Sequence, residues 1–148
     1  PVDLAEIAET IAGEFAPAVE RHGSVLELDR EPGVVAAADP DRVAQIIRIL
    51  LDNALSHTPQ KTRITVTAQL QQGEPTLTVR DNGPGIEPAN RKQVFERFFT
   101  ADEVSGSGLG LAIARELARL MGGEIDLESR RGWTEFRLTL PVAARARA

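Results

Sequence analysis

The chain contains no cysteine, which removes disulfides, thiol catalysis and thiolate zinc sites together. Its only histidines, His22 and His57, are too few for a multi-histidine metal centre. No run approaches the ~18 apolar residues that a bilayer span requires. The acidic opening from Pro1 to Glu9 lacks the basic start of a signal peptide, so the expectation is a soluble piece cut from a larger protein. An excess of positive charge is also missing: 17 Lys and Arg face 22 Asp and Glu, a formal net charge of −5. An acidic surface repels a polyanion, so nucleic acid is not expected as a principal partner. What is present, 148 residues with 42% apolar and 26% charged, suits one domain with one two-layer core. The expected domain is 1–148, fading into an Ala/Arg tail from about Val142.

Periodicity supplies the elements. Leu4, Ile7, Ala8, Ile11, Phe15 and Val19 recur at helical spacing from Asp3 to about Arg21, with Pro17 expected to kink or end the helix. A short strand follows at Val25 to Asp29, then a turn at Glu31-Pro32-Gly33 and an apolar run from Val34 to Ala38. Asp39-Pro40-Asp41 starts a second helix, whose Val43, Ile46, Ile47, Leu50, Leu51 and Ala54 form one broad stripe. Asn53 and His57 lie together on a flank of that stripe, and Asp52 faces away from it. Pro59 stops the helix. Two alternating strands, Ile64 to Leu70 and Leu77 to Asp81, flank a hairpin turn at Gln71 to Pro75, and Asp81 closes its alternation on the inward face. A further helix from about Gly108 carries Leu109, Ile113, Leu117 and Leu120 on one face and stops at Met121-Gly122-Gly123. Two last strands, Ile125 to Glu128 and Thr134 to Leu140, are joined through Ser129 to Gly132. Strands with hairpins among helices predict an open sheet covered on one face.

Three features carry chemistry. Gly106-Ser107-Gly108-Leu109-Gly110 leads straight into a helix, a geometry that brings backbone N–H groups to an anion such as a phosphate chain; a plain turn reads the same way. No Lys-Ser or Lys-Thr follows the last glycine, so it is not a P-loop. Asp81-Asn82-Gly83-Pro84-Gly85-Ile86 places a carboxylate at a strand end before two glycines. That suits recognition of an amino group on a planar ligand, or else an Asp-Asn-Gly turn capping its own backbone. The Asn53 amide oxygen can ligate Mg²⁺, or it can be a helix-packing Asn.

In order and spacing these features resemble one family. Gln45 to Pro59 (QIIRILLDNALSHTP) looks like the N box of sensor histidine kinases, Asp81 to Ile86 (DNGPGI) like the G1 box, Val94 to Phe99 (VFERFF) like the F box, and Gly106 to Ile113 (GSGLGLAI) like the G2 box. The likeness runs from about Val2 to Pro141. It implies the catalytic ATP-binding domain of a two-component sensor histidine kinase, in the superfamily shared with gyrase B, Hsp90 and MutL. The implied fold is an α/β two-layer sandwich, a mixed sheet of about five strands backed by three main helices, with a short ATP lid.

The resemblance also implies roles. Asn53 goes to Mg²⁺, Asp81 to the adenine amino group, and Gly83, Gly85 and Ile86 to the adenine-side loop. Gly106, Ser107, Gly108, Leu109 and Gly110 go to the hinge and phosphate side. Phe95, Phe98 and Phe99 go to the lid base and its contact with a helical partner domain, Phe99 also lining the nucleotide site. His57 stands where the family often has His or Tyr; it reaches a phosphate or is a satisfied half-buried histidine.

Relatives usually carry Asn at the position of Ile49, often Lys at Ser56, and Arg or Lys near Thr100. The last two departures remove cations that would neutralise transferring phosphoryl charge. The lid, Thr100 to Ser105, is short and expected to be mobile. Relatives phosphorylate a histidine on a separate helical hairpin, and His22, followed by Gly23-Ser24, matches that acceptor poorly. The implied partners are therefore that hairpin, dimeric in the parent protein, and a response regulator, with the domain itself monomeric. The implied location is cytoplasmic, in a membrane-anchored parent. Within the superfamily, a Glu four residues before the metal-binding Asn marks ATP-hydrolysing and serine-directed members, and Ile49 cannot take a proton. A degenerate nucleotide-binding adaptor is the remaining alternative.

Overall fold

The computed structural model describes residues 1–31, 33–56, 58–86, 93–96 and 110–143. Among them are helices α1 (Leu4–Arg21), α2 (Pro40–Ser56) and α3 (Gly110–Leu120) and strands β1 (Val2–Asp3), β2 (Val25–Arg30), β3 (Val35–Ala36), β4 (Arg63–Gln71), β5 (Glu74–Asp81), β6 (Glu124–Arg130) and β7 (Trp133–Thr139). The large sheet runs β2-β4-β5-β7-β6, parallel between β2 and β4 and antiparallel elsewhere. It is the expected five-stranded mixed sheet backed by three helices. A small β1–β3 pair adds to it, and Val142 bridges Ala36, so the exit from the last strand is tied down.

Local chemistry sets the boundaries. Asp39 accepts hydrogen bonds from the Asp41 (2.9 Å) and Arg42 (3.5 Å) N–H groups, with Pro40 at the first helical position, where its missing N–H costs nothing. Asp3 caps α1 through the Glu6 N–H. Of the two outcomes expected at Pro17, a kink or an end, the helix does not end there: it continues to Arg21, the bound that the spacing predicts. The buried Ile11 and Val19 hold it against the core on both sides of the proline, and the Arg48 guanidinium grips Glu14 at 2.9 and 2.8 Å. The β4–β5 turn is Gln72-Gly73, both with positive φ (53° and 80°), the backbone that a two-residue hairpin needs to match strand twist.

Two expectations are corrected. Ser129 belongs to β6, not to the turn after it. The face of α3 turned inward is built from Ala114 and Ala118 with Leu111, Leu117 and Met121 beside them, whereas Leu120 is 65% exposed. Small residues prevail there because α3 lies close: a Cβ at Gly123, just past its end, would sit 2.3 Å from the Thr139 carbonyl oxygen.

Under the helices, the sheet's inner face is ordered in rows across the strands. Ala68, Leu77, Leu138 and Ile125 form one, and Val66, Val79, Phe136 and Leu127 the next. Leu138 is fully buried in the first row. Leu138→Ala is expected to cost about 2–5 kcal/mol, read as a lower urea midpoint with an unchanged slope.

Candidate functional site

The third row of the inner face is polar. Ile64 is followed by Asp81, Thr134 and Ser129 on β5, β7 and β6, and all three are buried (7%, 5% and 9% exposed). Three strands thus run apolar, apolar, polar toward the same end of the sheet.

Of the two readings of Asp81, the structure shows the turn contact. Its Oδ1 accepts the Gly83 N–H at 2.9 Å, a local turn contact. No described residue hydrogen-bonds Oδ2, which leaves that oxygen for a ligand. Burial pushes the Asp81 carboxyl above the ordinary carboxylate value, and the Gly83 hydrogen bond offsets part of that rise. A buried carboxylate oxygen at the edge of a row of hydroxyls is chemically able to accept a hydrogen bond from an amino group.

The loop after Asp81 is fixed by close approach. A Cβ on Gly83 would meet Thr58 Cγ2 at 2.8 Å and Asp81 Oδ1 at 3.0 Å. Gly85 has φ +87°, and a Cβ there would lie 2.4 Å from the Arg130 carbonyl oxygen, so only glycine fits. Asn82 Oδ1 accepts the Arg63 N–H at 2.8 Å, and the Ile86 N–H donates to Ser129 Oγ at 2.8 Å. The loop is therefore pinned to β4 on one side and to β6 on the other. Behind it, His22, the residue after α1, hydrogen-bonds Ser24 Oγ and the Thr58 carbonyl oxygen (3.2 Å) through its two ring nitrogens. That histidine is bound into the structure on both sides, which suits a packing residue.

Asn53 is half-buried on α2, Asp52 beside it is exposed, and no described residue hydrogen-bonds the Asn53 amide. One turn earlier Ile49 packs at the start of α3, where a Cβ on Gly110 would be 3.3 Å from its Cγ2. The α2 face carrying Ile49 and Asn53 thus meets the N-terminus of α3. One free neutral oxygen fits Mg²⁺, which keeps several waters and takes phosphate oxygens as its other ligands. Among the described residues no cluster of three or more His, Asp or Glu offers a different metal site.

Phe95 packs edge-on against Phe136, with ring centroids 6.0 Å apart, and the Arg115 guanidinium lies 4.6 Å from its ring centre. It anchors its segment to the core. A groove with an accessible volume of about 490 Å³ runs beside it along α3, past Arg115, Arg119 and Leu120, on the outer side of the helix and away from Asp81. His57, Phe98, Phe99, Thr100, the lid 100–105, and Gly106, Ser107, Gly108 and Leu109 lie outside the described residues. Of the expected site, the structure joins Asp81, Gly83, Gly85 and Ile86 in one loop, and places Asn53 and Gly110 where α2 meets α3. Thr134 and Ser129 were missed. The signal was partial: each stands at the polar end of an inward alternation, as Asp81 does, but that they share its row appears only in the register between strands.

The model of the histidine kinase-, DNA gyrase B- and HSP90-like ATPase family matches residues 38–144. The sensor histidine kinase YkoH of Bacillus subtilis is 35% identical over 136 residues, covering 88% of this chain and 29% of YkoH. Among solved structures, full-length ShkA in complex with AMPPNP superposes with a TM-score of 0.87 at 30% identity, over 99% of this chain and 32% of that one. The mycobacterial sensor histidine kinase MprB superposes with a TM-score of 0.82 at 30% identity, over 95% and 96%. The chain spans well under half the length of the curated relatives it matches. No helix among the described residues is long and apolar enough to cross a membrane.

The buried carboxylate makes a prediction of its own. The folded-state value of Asp81 is raised, so its ionised form costs stability at neutral pH, and that cost disappears as pH falls through the raised value. Asp81→Asn keeps an oxygen for the Gly83 N–H and removes the charge. Its melting temperature at pH 7, by scanning calorimetry, is expected to equal or exceed that of the unsubstituted chain, with the difference shrinking in acid.

Proposed function

Because the chain belongs to the histidine kinase-, DNA gyrase B- and HSP90-like ATPase family, we propose that it is the catalytic domain of a sensor histidine kinase, which binds Mg·ATP and donates the γ-phosphate to a histidine on a separate helical domain. The observation that carries this reading is the Oδ2 of buried Asp81, which no described residue hydrogen-bonds, beside a loop brought close by Gly83 and Gly85. Adenine presents an amino group to such an acceptor and guanine presents a carbonyl, so the site selects the first.

Asn53 would hold Mg²⁺, whose contribution when bound is to compensate the charge of the phosphates. The chain's own part is binding, orientation and exclusion of water around the phosphates. An attacking nitrogen of the acceptor histidine forms the new P–N bond while the bond to the bridging oxygen breaks and ADP departs. A response-regulator aspartate then receives the phosphoryl group. Ile49 supports transfer over hydrolysis: it packs against the start of α3 and offers no proton acceptor to water or to a serine hydroxyl. The groove beside Phe95 and Leu120 is the surface on which the helical partner is expected to dock.

Isothermal calorimetry is expected to show ATP bound far more tightly than GTP, and equal affinities would reject the base-recognition assignment. Asp81→Asn is expected to weaken ATP binding by about 1–3 kcal/mol by facing one amino group with another. Asn53→Ala is expected to lose phosphotransfer with its thermal melt preserved; transfer at the original rate in Mg²⁺ would remove the metal-ligand role.

The deciding experiment joins the chain to its native histidine-bearing hairpin and supplies ATP labelled at the γ-phosphate. Label that is lost in acid and kept in base identifies phosphohistidine. Acid-stable label indicates a serine-directed kinase, brisk turnover without label an ATPase, and nucleotide binding with neither an adaptor.

A further inference from the structure

Ser129 has one hydroxyl hydrogen and three polar neighbours: the Ile86 N–H at 2.8 Å, the Trp133 carbonyl oxygen at 3.2 Å and Thr134 Oγ1 at 3.1 Å. The Ile86 N–H can only donate and the Trp133 carbonyl can only accept. If all three contacts form, the Ser129 hydrogen goes to Trp133 and the Thr134 hydrogen goes to Ser129. The direction of the Thr134 hydroxyl is thereby fixed.

That direction matters because Thr134 stands directly opposite Asp81 on the neighbouring strand, on the same buried face. Side chains so placed are within reach of one another. A threonine hydroxyl beside a carboxylate ordinarily donates to it, since hydrogen bonds to ionised groups are the stronger ones. Here, among the described residues, the one hydrogen bond to the Asp81 side chain comes from Gly83, and Thr134 is engaged with Ser129 instead.

Resting on the nucleotide reading above, we infer that Ser129 is a positioning residue for base selectivity: by accepting the Thr134 hydrogen it keeps Asp81 Oδ2 free and turns only acceptors toward the ligand's amino group. With Asp81 and Thr134 both presenting lone pairs, a base bearing a carbonyl at that position meets repulsion from two sides. Without Ser129, the Thr134 hydrogen has Asp81 as its nearest strong acceptor. It then occupies the oxygen that the amino group needs and offers a donor where a carbonyl can be tolerated.

The test uses Ser129→Ala, Thr134→Val and the double variant, each checked by thermal melt. Calorimetry is expected to show Ser129→Ala weakening ATP about tenfold with GTP changed by less than about twofold, so that the preference narrows. In the ligand-free chain the Asp81 carboxyl, followed by carbon NMR, is expected to titrate at lower pH in Ser129→Ala, because a donated hydrogen bond favours the ionised form. In the Thr134→Val background, Ser129→Ala is expected to move neither quantity, since the hydroxyl that would swing is gone.

A role confined to anchoring the loop through the Ile86 N–H would weaken ATP and GTP by the same factor and leave the Asp81 titration in place, and that result overturns the inference. If the unsubstituted chain shows no preference for ATP, the nucleotide reading falls and the selectivity role falls with it. The ligand-free titration judges the hydrogen-bond direction separately: no change in Ser129→Ala overturns it even where ATP is preferred.

Discussion

Everything at the site depends on one carboxylate kept buried and half-unsatisfied. Asp81 sits where the inner face of the sheet changes from apolar to polar, opposite Thr134 and one strand from Ser129. Among the described residues only one of its oxygens has a partner, the Gly83 N–H. Desolvation of an ionised group is unfavourable, and a protein that needed only stability would place an apolar residue at this inward position, as it does at Leu77 and Val79 on the same strand. The cost is borne by the two apolar rows beside it, whose side chains are almost entirely enclosed beneath the helices. Burial also makes the free oxygen useful, because a hydrogen bond formed away from water is stronger and more selective than one formed in it.

The glycines of the loop serve distance more than flexibility. Gly83 brings the backbone against Thr58 at the end of α2, and Gly85 brings it against the Arg130 carbonyl at the end of β6. A loop fixed at both points cannot drift relative to the carboxylate, and the Asn82 and Ile86 hydrogen bonds hold it on either side. Gly110 lies close to α2 at the start of α3, where a Cβ would come within 3.3 Å of Ile49 Cγ2. Base-side loop, α2 and the start of α3 are thus held in one register, and a ligand spanning Asp81 and Asn53 meets an assembled surface. Preorganisation of this kind lowers the ordering cost of binding.

Much of this was legible along the chain, and the exceptions share a cause. The inward position of Asp81 followed from the alternation Leu77, Val79, Asp81, and the α2 stripe followed from helical spacing, because both depend on neighbours within one element. Thr134 and Ser129 did not, because their meaning lies in register between strands, which a single chain does not display. Ser129 was assigned to a turn on the strength of the Arg-Arg-Gly that follows it, although Ile125, Leu127 and Ser129 repeat the pattern that had exposed Asp81. The α3 face was misjudged through side-chain size: the leucines looked like the core face, but the space over β6 and α2 admits alanine, and Leu120 is left outside. Pro17 was weighed as a local breaker, and tertiary contacts on both sides of it prevailed.

Ile49 joins the packing argument to the chemical one. On α2 it lies one turn from Asn53 and packs at the start of α3, so it carries the register between the metal-ligand candidate and that helix. An acidic residue there would place a charge against the start of α3 and a proton acceptor near bound phosphates. The isoleucine removes both, giving closer packing and no base for water. Under the proposed function, loss of a hydrolytic base is no handicap, because an untransferred γ-phosphate would be preserved until an acceptor on another domain arrived. The same isoleucine side chain sets how closely α2 and the start of α3 approach: a Cβ at position 110 would lie 3.3 Å from its Cγ2.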